Sequence, residues 1–171
     1  AEPRYRAILK SPKKNLGEDH KDTLKVTYNL AALLYEEGRM EEAEPLIRVT
    51  YEAYKKELGE GHSYTLTSAV GLATVLMNTG RNEEAEAMYR NIYEARKKKL
   101  GATHPEVLRA FGNIGFSLLR KAQELDEAGE TDSPALARIY TEAADMIAPS
   151  YGDDGPVMYC RQRAAELGSP G

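Results

Sequence analysis

The stretch TLKVTYNLAALLYEEGRMEEAEPL, Thr23 to Leu46, decides how the rest of the chain is read. Leu24, Leu30, Ala31 and Leu34 recur at helical spacing and form one apolar stripe. Gly38 stands where that helix should stop, because glycine accepts the left-handed conformation that closes a helix. Glu41 and Glu42 open a second helix that ends on Lys55 and Lys56, the order of charge that the helix dipole favours. Ala43 is small enough to let the two helices approach closely.

The same pattern returns 42 residues on, as TLTSAVGLATVLMNTGRNEEAEAM from Thr65. Leu66, Leu72, Ala73 and Leu76 repeat the stripe, Gly80 the stop and Ala85 the close approach, and the second helix runs from Glu83 and Glu84 to the basic run Arg96 to Lys99. A third copy starts with VLRAFGNIGFSLL at Val107, its stripe being Leu108, Ile114, Gly115 and Leu118. The joints repeat as well: LGEDH (16–20), LGEGH (58–62) and LGATH (100–104). A later joint, YGDDGP, begins at Tyr151, 51 residues after Leu100, so the third copy carries about nine extra residues. No stretch alternates with period two over a useful length. Helix pairs this short bury one face each and become stable by stacking on the next pair. The expected fold is all-α, a right-handed superhelical solenoid of antiparallel helix pairs.

These 171 residues suit a single domain, 1–171, with a real core. The expected parts are a partial N-terminal helix (4–15, interrupted at Pro12), repeat 1 (21–59), repeat 2 (63–101), repeat 3 (105–152, insertion about 121–133) and a capping helix (156–168). The capping helix shows few apolar residues, Val157, Tyr159 and Ala164, so the chain reads as a piece of a longer array or as a small capped one. A net charge of −4 does not favour nucleic acid or an anionic membrane surface. No apolar run reaches the roughly 18 residues of a membrane span, and the first residues lack a signal peptide's apolar centre. A targeting segment already removed would leave no trace. Cys160 is the one cysteine, which excludes an internal disulfide and fits a cytoplasmic or other reducing compartment.

With its LG-x-x-H joints, the segment NLAALLYEEGRMEEAEPL (29–46) resembles the tetratricopeptide repeats of the kinesin light chain type. Those repeats are longer than the common 34 residues, and eight more residues amount to about two helical turns. The resemblance covers roughly residues 16 to 152. It implies a non-catalytic interaction module whose ligands lie along a concave face lined by the first helix of each pair. Projected onto this sequence, that face holds Lys25, Tyr28, Asn29, Ala32 and Tyr35 in unit one. Unit two supplies Thr67, Val70, Gly71, Thr74 and Asn78, and unit three Arg109, Gly112, Asn113, Phe116 and Arg120. The family often has Asn before Leu-Ala; Asn29 and Asn113 match, and Gly71 departs. Asparagine can bond both N–H and C=O of an extended peptide. Lys25 and Arg109 favour acidic groups, and the aromatic residues favour apolar anchors.

Two functions stand open at this stage. One is recognition of a protein or peptide segment, acidic or aromatic in character, in the groove. The other is a structural subunit or assembly factor held in a larger complex through its edges and the repeat-3 insertion. That insertion reads as a first helix lengthened to about Ala128, a turn at Gly129, and a new start at Ser133-Pro134. Its lengthened end is expected to project from the stack. No phosphate loop, nucleophile elbow or H-E-x-x-H motif is present, and no catalytic residue, cofactor or metal is expected. Equivalent positions on stacked pairs lie at least about 8–10 Å apart, whereas ligands of one zinc, each about 2 Å from the metal, are much closer. The repeated histidines therefore read as structural, with His104 or Thr103 capping the helix that starts at Pro105.

Overall fold

In a computed structural model of the chain, residues 2–9, 21–129 and 133–168 are described. Among them are eight helices and no strand: α1 (Glu2–Leu9), α2 (Lys21–Glu36), α3 (Met40–Leu58), α4 (Ser63–Asn78), α5 (Asn82–Leu100), α6 (Pro105–Ala128), α7 (Ser133–Tyr151) and α8 (Gly155–Gly168). They fall into two compact units, Ala1–Arg81 and Asn82–Gly171. The first joint, LGEDH with His20, lies outside the described residues, as does Pro12.

In the first unit α1 packs on α2, α2 on α3 and α3 on α4. The α2–α3 turn shows why Gly38 is there. Its φ is +77°, its N–H donates to the Tyr35 carbonyl at 3.0 Å, and the Arg39 N–H donates to the Leu34 carbonyl at 2.8 Å. That paired closure is the Schellman motif. Gly80 repeats it, with φ +80° and bonds from Gly80 to Met77 (3.3 Å) and from Arg81 to Leu76 (2.9 Å). The arginine after each glycine then reaches acids: Arg39 meets Glu2 at 2.6 Å, Glu42 at 2.7 Å and Glu37 at 3.1 Å, and Arg81 meets Glu44 at 2.7 Å. Through Glu2, α1 is tied to the first turn. The expected stripes are inside, with Leu24, Leu30, Ala31, Leu34, Leu72, Ala73 and Leu76 all at 2% exposure or less. Ala43 is fully buried, as the close approach requires.

In the second unit α5 packs on α6, α6 on α7 and α7 on α8. Asn82 joins the first two: its Nδ2 donates to Glu124 at 2.7 Å, and its carbonyl accepts from the Ser117 hydroxyl at 3.2 Å. The stripe of α6 differs from its expected form. Leu108 is only half-buried, while Val107 and Ala110 are buried. A first helix packed on both sides buries a wider sector than the single row that the periodicity shows. Gly115 lies where α6 and α7 touch. A Cβ there would stand 2.7 Å from Ile147 Cγ1 and 2.9 Å from the Ala143 carbonyl oxygen.

The lengthened end of α6 does not project freely, which corrects the expectation. Arg163 on α8 clasps Asp126 with two bonds of 2.7 Å, and the Tyr140 hydroxyl of α7 donates to the same carboxylate at 3.3 Å. The extra turns thus serve as a post for the last helix, and α6 ends at Gly129, φ +66°. Residues 130–132 of the insertion lie outside the described residues. On α8 the buried residues are Val157 and Cys160, whereas Tyr159 is exposed. The thiol of Cys160, small and apolar, is hidden beside Val157, while Tyr159, counted among the apolar residues of this helix, faces outward.

The histidines sit at helix starts. His62 and His104 are the N-cap residues of α4 and α6, both in extended conformation, and each accepts at Nδ1 the N–H two residues on, from Tyr64 and Glu106, at 3.2 Å. Of the two caps weighed for α6, the structure selects His104.

Four substitution tests check these contacts. His62→Ala and His104→Ala each cost about 1 kcal/mol in urea unfolding, and Asn at either position recovers most of it. Gly115→Ala destabilises by about 1–3 kcal/mol, because the fixed carbonyl outweighs the helix-propensity gain of about 1 kcal/mol. Gly71→Ala costs less than Gly115→Ala, since the atoms it meets are the hydroxyl end and ring edge of Tyr28, a side chain that can shift by a few tenths of an ångström at the expense of its bond to Thr67. The Arg163 guanidinium holds the Asp126 carboxyl below the usual range. An unfolded aspartate takes its proton near pH 3.9, before the folded one does. The pair's contribution is therefore complete above that pH and is lost as pH falls through the folded value. Asp126→Asn lowers stability at pH 7, and its deficit shrinks below about pH 4; a deficit unchanged down to pH 3 would refute the pairing.

Candidate partner-binding face

In the first unit, α2 and α4 meet along the face that the sequence reading singled out. Three rungs join them. Lys25 places its Nζ 5.5 Å from the centre of the Tyr64 ring. The Tyr28 hydroxyl donates to the Thr67 carbonyl at 3.4 Å, and Asn78 Nδ2 donates to the Tyr35 hydroxyl at 2.8 Å. Burial pushes the Tyr28 phenol above its ordinary value, so it keeps the proton it donates. The middle rung accounts for Gly71. A Cβ at that position would stand 3.0 Å from the Tyr28 hydroxyl and 3.3 Å from its ring. Where the family pattern has Asn, this chain leaves room for a tyrosine of the preceding helix pair.

The structure thus brings Lys25, Tyr28, Tyr35, Thr67 and Asn78 together. Asn29 is exposed beside Tyr28, and Thr67 presents its side chain to solvent. Thr74 turns its hydroxyl to the Val70 carbonyl at 2.9 Å. Tyr64 was not foreseen. It stacks on Tyr54 with ring centres 5.5 Å apart and leaves 39% of itself exposed.

In the second unit the face is carried by α6. Arg109 is exposed; Asn113, Phe116 and Arg120 are half-buried. The residue missed here is Tyr151, at the end of α7. Its hydroxyl donates to Asn113 Oδ1 at 3.4 Å, and its ring meets Phe116 edge-on at 5.1 Å. A Cβ on Gly112 would stand 2.7 Å from Tyr151 Cε2. Tyr151 occupies the register of Leu58 and Leu100, so the change from leucine to a longer, polar-tipped ring was the signal available in the sequence. Near Arg109, burial lowers the pKa of Arg96; the Glu106 carboxylate, 3.4 Å away, opposes that shift and Arg109 adds to it. Arg96 and Arg109, with the Glu106 carboxylate beside them, leave one net positive charge at the start of α6.

Little in this constellation suits covalent chemistry. Cys160 is buried, and burial pushes its thiol up to about 11, away from the thiolate that a nucleophile needs. Among the described residues no three His, Cys, Asp or Glu side chains gather as a metal site, and no helix is long and apolar enough to cross a membrane.

Two sequence models described as tetratricopeptide repeat match the chain, one over residues 23–64 and one over 64–131. No curated protein matches it. Among solved structures it is similar to BtubC (BKLC) from P. vanneervenii, with 20% identity and a TM-score of 0.62, over 98% of this chain and 71% of that one. It is also similar to a Podosopora anserina structure described as kinesin light chain nearly identical TPR-like repeats, with 19% identity and a TM-score of 0.66, over 95% and 83% of the two chains. At these identities the likeness is one of fold, an all-α solenoid of helix pairs.

Neutral substitution checks the rungs. Tyr35→Phe and Asn78→Ala each change stability by less than about 1 kcal/mol, as expected for a partly solvated hydrogen bond, and the double variant costs less than the sum of the two single ones.

Proposed function

The chain belongs to the tetratricopeptide repeat family, and from that premise we propose that it binds a partner segment on the exposed face of its first helices. Tetratricopeptide repeats mediate protein–protein interaction, and their fold is typically a non-catalytic scaffold. The observation that carries the finer reading is the composition of the face. In the first unit it offers an exposed asparagine, Asn29, beside a tyrosine rung and a lysine held over an aromatic ring. In the second it offers Arg109, Asn113 and Phe116. An asparagine amide supplies both a donor and an acceptor to an extended backbone. Exposed cations select acidic groups, and aromatic edges take apolar anchors.

The residues divide by duty. Lys25, Asn29 and Thr67 are open to a ligand; Tyr28, Tyr35 and Asn78 hold the two helices in register and form the floor. Thr74 and Arg120 border the face on their helices. In the second unit a ligand meets Asn113 and Phe116 together with Tyr151. The competing reading, a subunit held through the lengthened α6, is less well supported, because Asp126 on that helix is already engaged by Arg163 and Tyr140 of the same chain.

Asn29→Ala and Asn113→Ala test the proposal. Both leave the thermal transition within about 1 kcal/mol of the parent, and each weakens capture of co-purifying proteins from the source cell by roughly tenfold, as removal of a peptide-backbone contact does. Capture unchanged in the double variant would overturn the assignment to this face.

A further inference from the structure

A second surface of the second unit has features that its fold does not require. Between α6 and α7 lies an open recess of about 440 Å³, within the range of ligand sites. Phe111, Ala137 and Met146 supply its apolar lining, and Arg138, Glu142 and Asp145 its charged lining. Tyr93 braces the Phe111 ring, with centres 5.3 Å apart, and carries Lys97 on its own ring at 5.2 Å.

The acids are the informative part. The acids at helix starts here, such as Glu41 and Glu42 on α3, complement the dipole. Glu142 and Asp145 instead stand in the middle and later half of α7, three residues apart, where like charges repel and the dipole does not help. Both are exposed, and neither forms an ion pair among the described residues, not even with Arg138 one turn away. The recess thus carries two carboxylates against one guanidinium, a net negative charge beside an apolar lining, which is complementary to a group with an apolar body and a positive end.

We propose that this recess docks a basic–apolar segment of another protein, a leucine-like side chain entering over Phe111, Ala137 and Met146 and a neighbouring arginine or lysine pairing with Glu142 and Asp145. Arg138 stands one turn from Glu142 and two from Asp145 on α7, so it repels a cation from the α7 N-terminal side and favours its approach to Asp145, which sets the direction in which the segment lies. The site is separate from the first-helix face and does not rest on it.

The probe is N-acetyl-Leu-Arg-amide, titrated into isotopically labelled protein and followed by NMR, with N-acetyl-Leu-Glu-amide as its counterpart. The basic dipeptide shifts the Met146 and Ala137 methyls and the α7 amides saturably, with a Kd on the order of 1 mM, and the acidic one does not. Glu142→Gln with Asp145→Asn, both exposed positions, raises that Kd roughly three- to tenfold, while the same change at exposed Glu94 and Glu127 leaves it unaltered. Equal shifts from both dipeptides, an unchanged Kd in the α7 double variant, or shifts centred on Asn29 and Asn113 instead would each overturn the proposal. Loss of partner capture in the asparagine variants does not bear on it, so the two readings fail separately.

Discussion

A helix with one apolar stripe, paired with another of the same kind, has no interior of its own. Its stability comes from the surface it hides against the next pair. That constraint accounts for the buried leucines, the fully buried Ala43 and Ala85, and the regular return of the same residues. It also explains why turns matter more here than in a fold with a central core. Each turn must deliver its second helix onto the first at one angle. Gly38 and Gly80 do so with the same pair of backbone bonds, and His62 and His104 start the next helix with the same side-chain bond.

Because helices of this kind must face each other on two sides, the residues left over form a narrow exposed strip. In the first unit that strip is not a free row of side chains. Tyr28 and Tyr35 reach from α2 to α4, and Gly71 yields the space that the Tyr28 ring takes. In the second unit Tyr151 plays a related part from α7, lying on Asn113 and Phe116. The same tyrosines hold the helices in register and, in the function proposed above, are the aromatic edges offered to a partner.

Much of the fold was legible. A 42-residue spacing, a stop glycine and an acid-to-base gradient suffice to place helix pairs, since each depends only on local geometry and on the helix dipole. The candidate face was legible as a set of helical positions, and the structure does bring Lys25, Tyr28, Tyr35, Thr67 and Asn78 together. What could not be read was which of them bond to each other. Those bonds join residues about 40 positions apart, such as Tyr35 and Asn78, and nothing in either local stretch announces the other. Tyr64 and Tyr151 escaped notice because each lies at a joint or a helix end, outside the stripes that periodicity reveals. That α8 hides Cys160 and exposes Tyr159 could not be read either, because apolar character alone does not tell which side of that helix faces inward.

The insertion marks the boundary most clearly. From the sequence alone, α6 is longer than its counterparts and stops at Gly129, since helix length and closure depend on neighbouring residues. Whether the added turns stand in solvent or carry another helix depends on what lies beside them. The Arg163 guanidinium, 37 residues away, clasps Asp126 from α8. The repeats, the stops and the caps were therefore set by local chemistry in the sequence. The pairing of side chains across helices, and with it the shape of any binding surface, was decided only when packing brought distant residues within hydrogen-bonding reach.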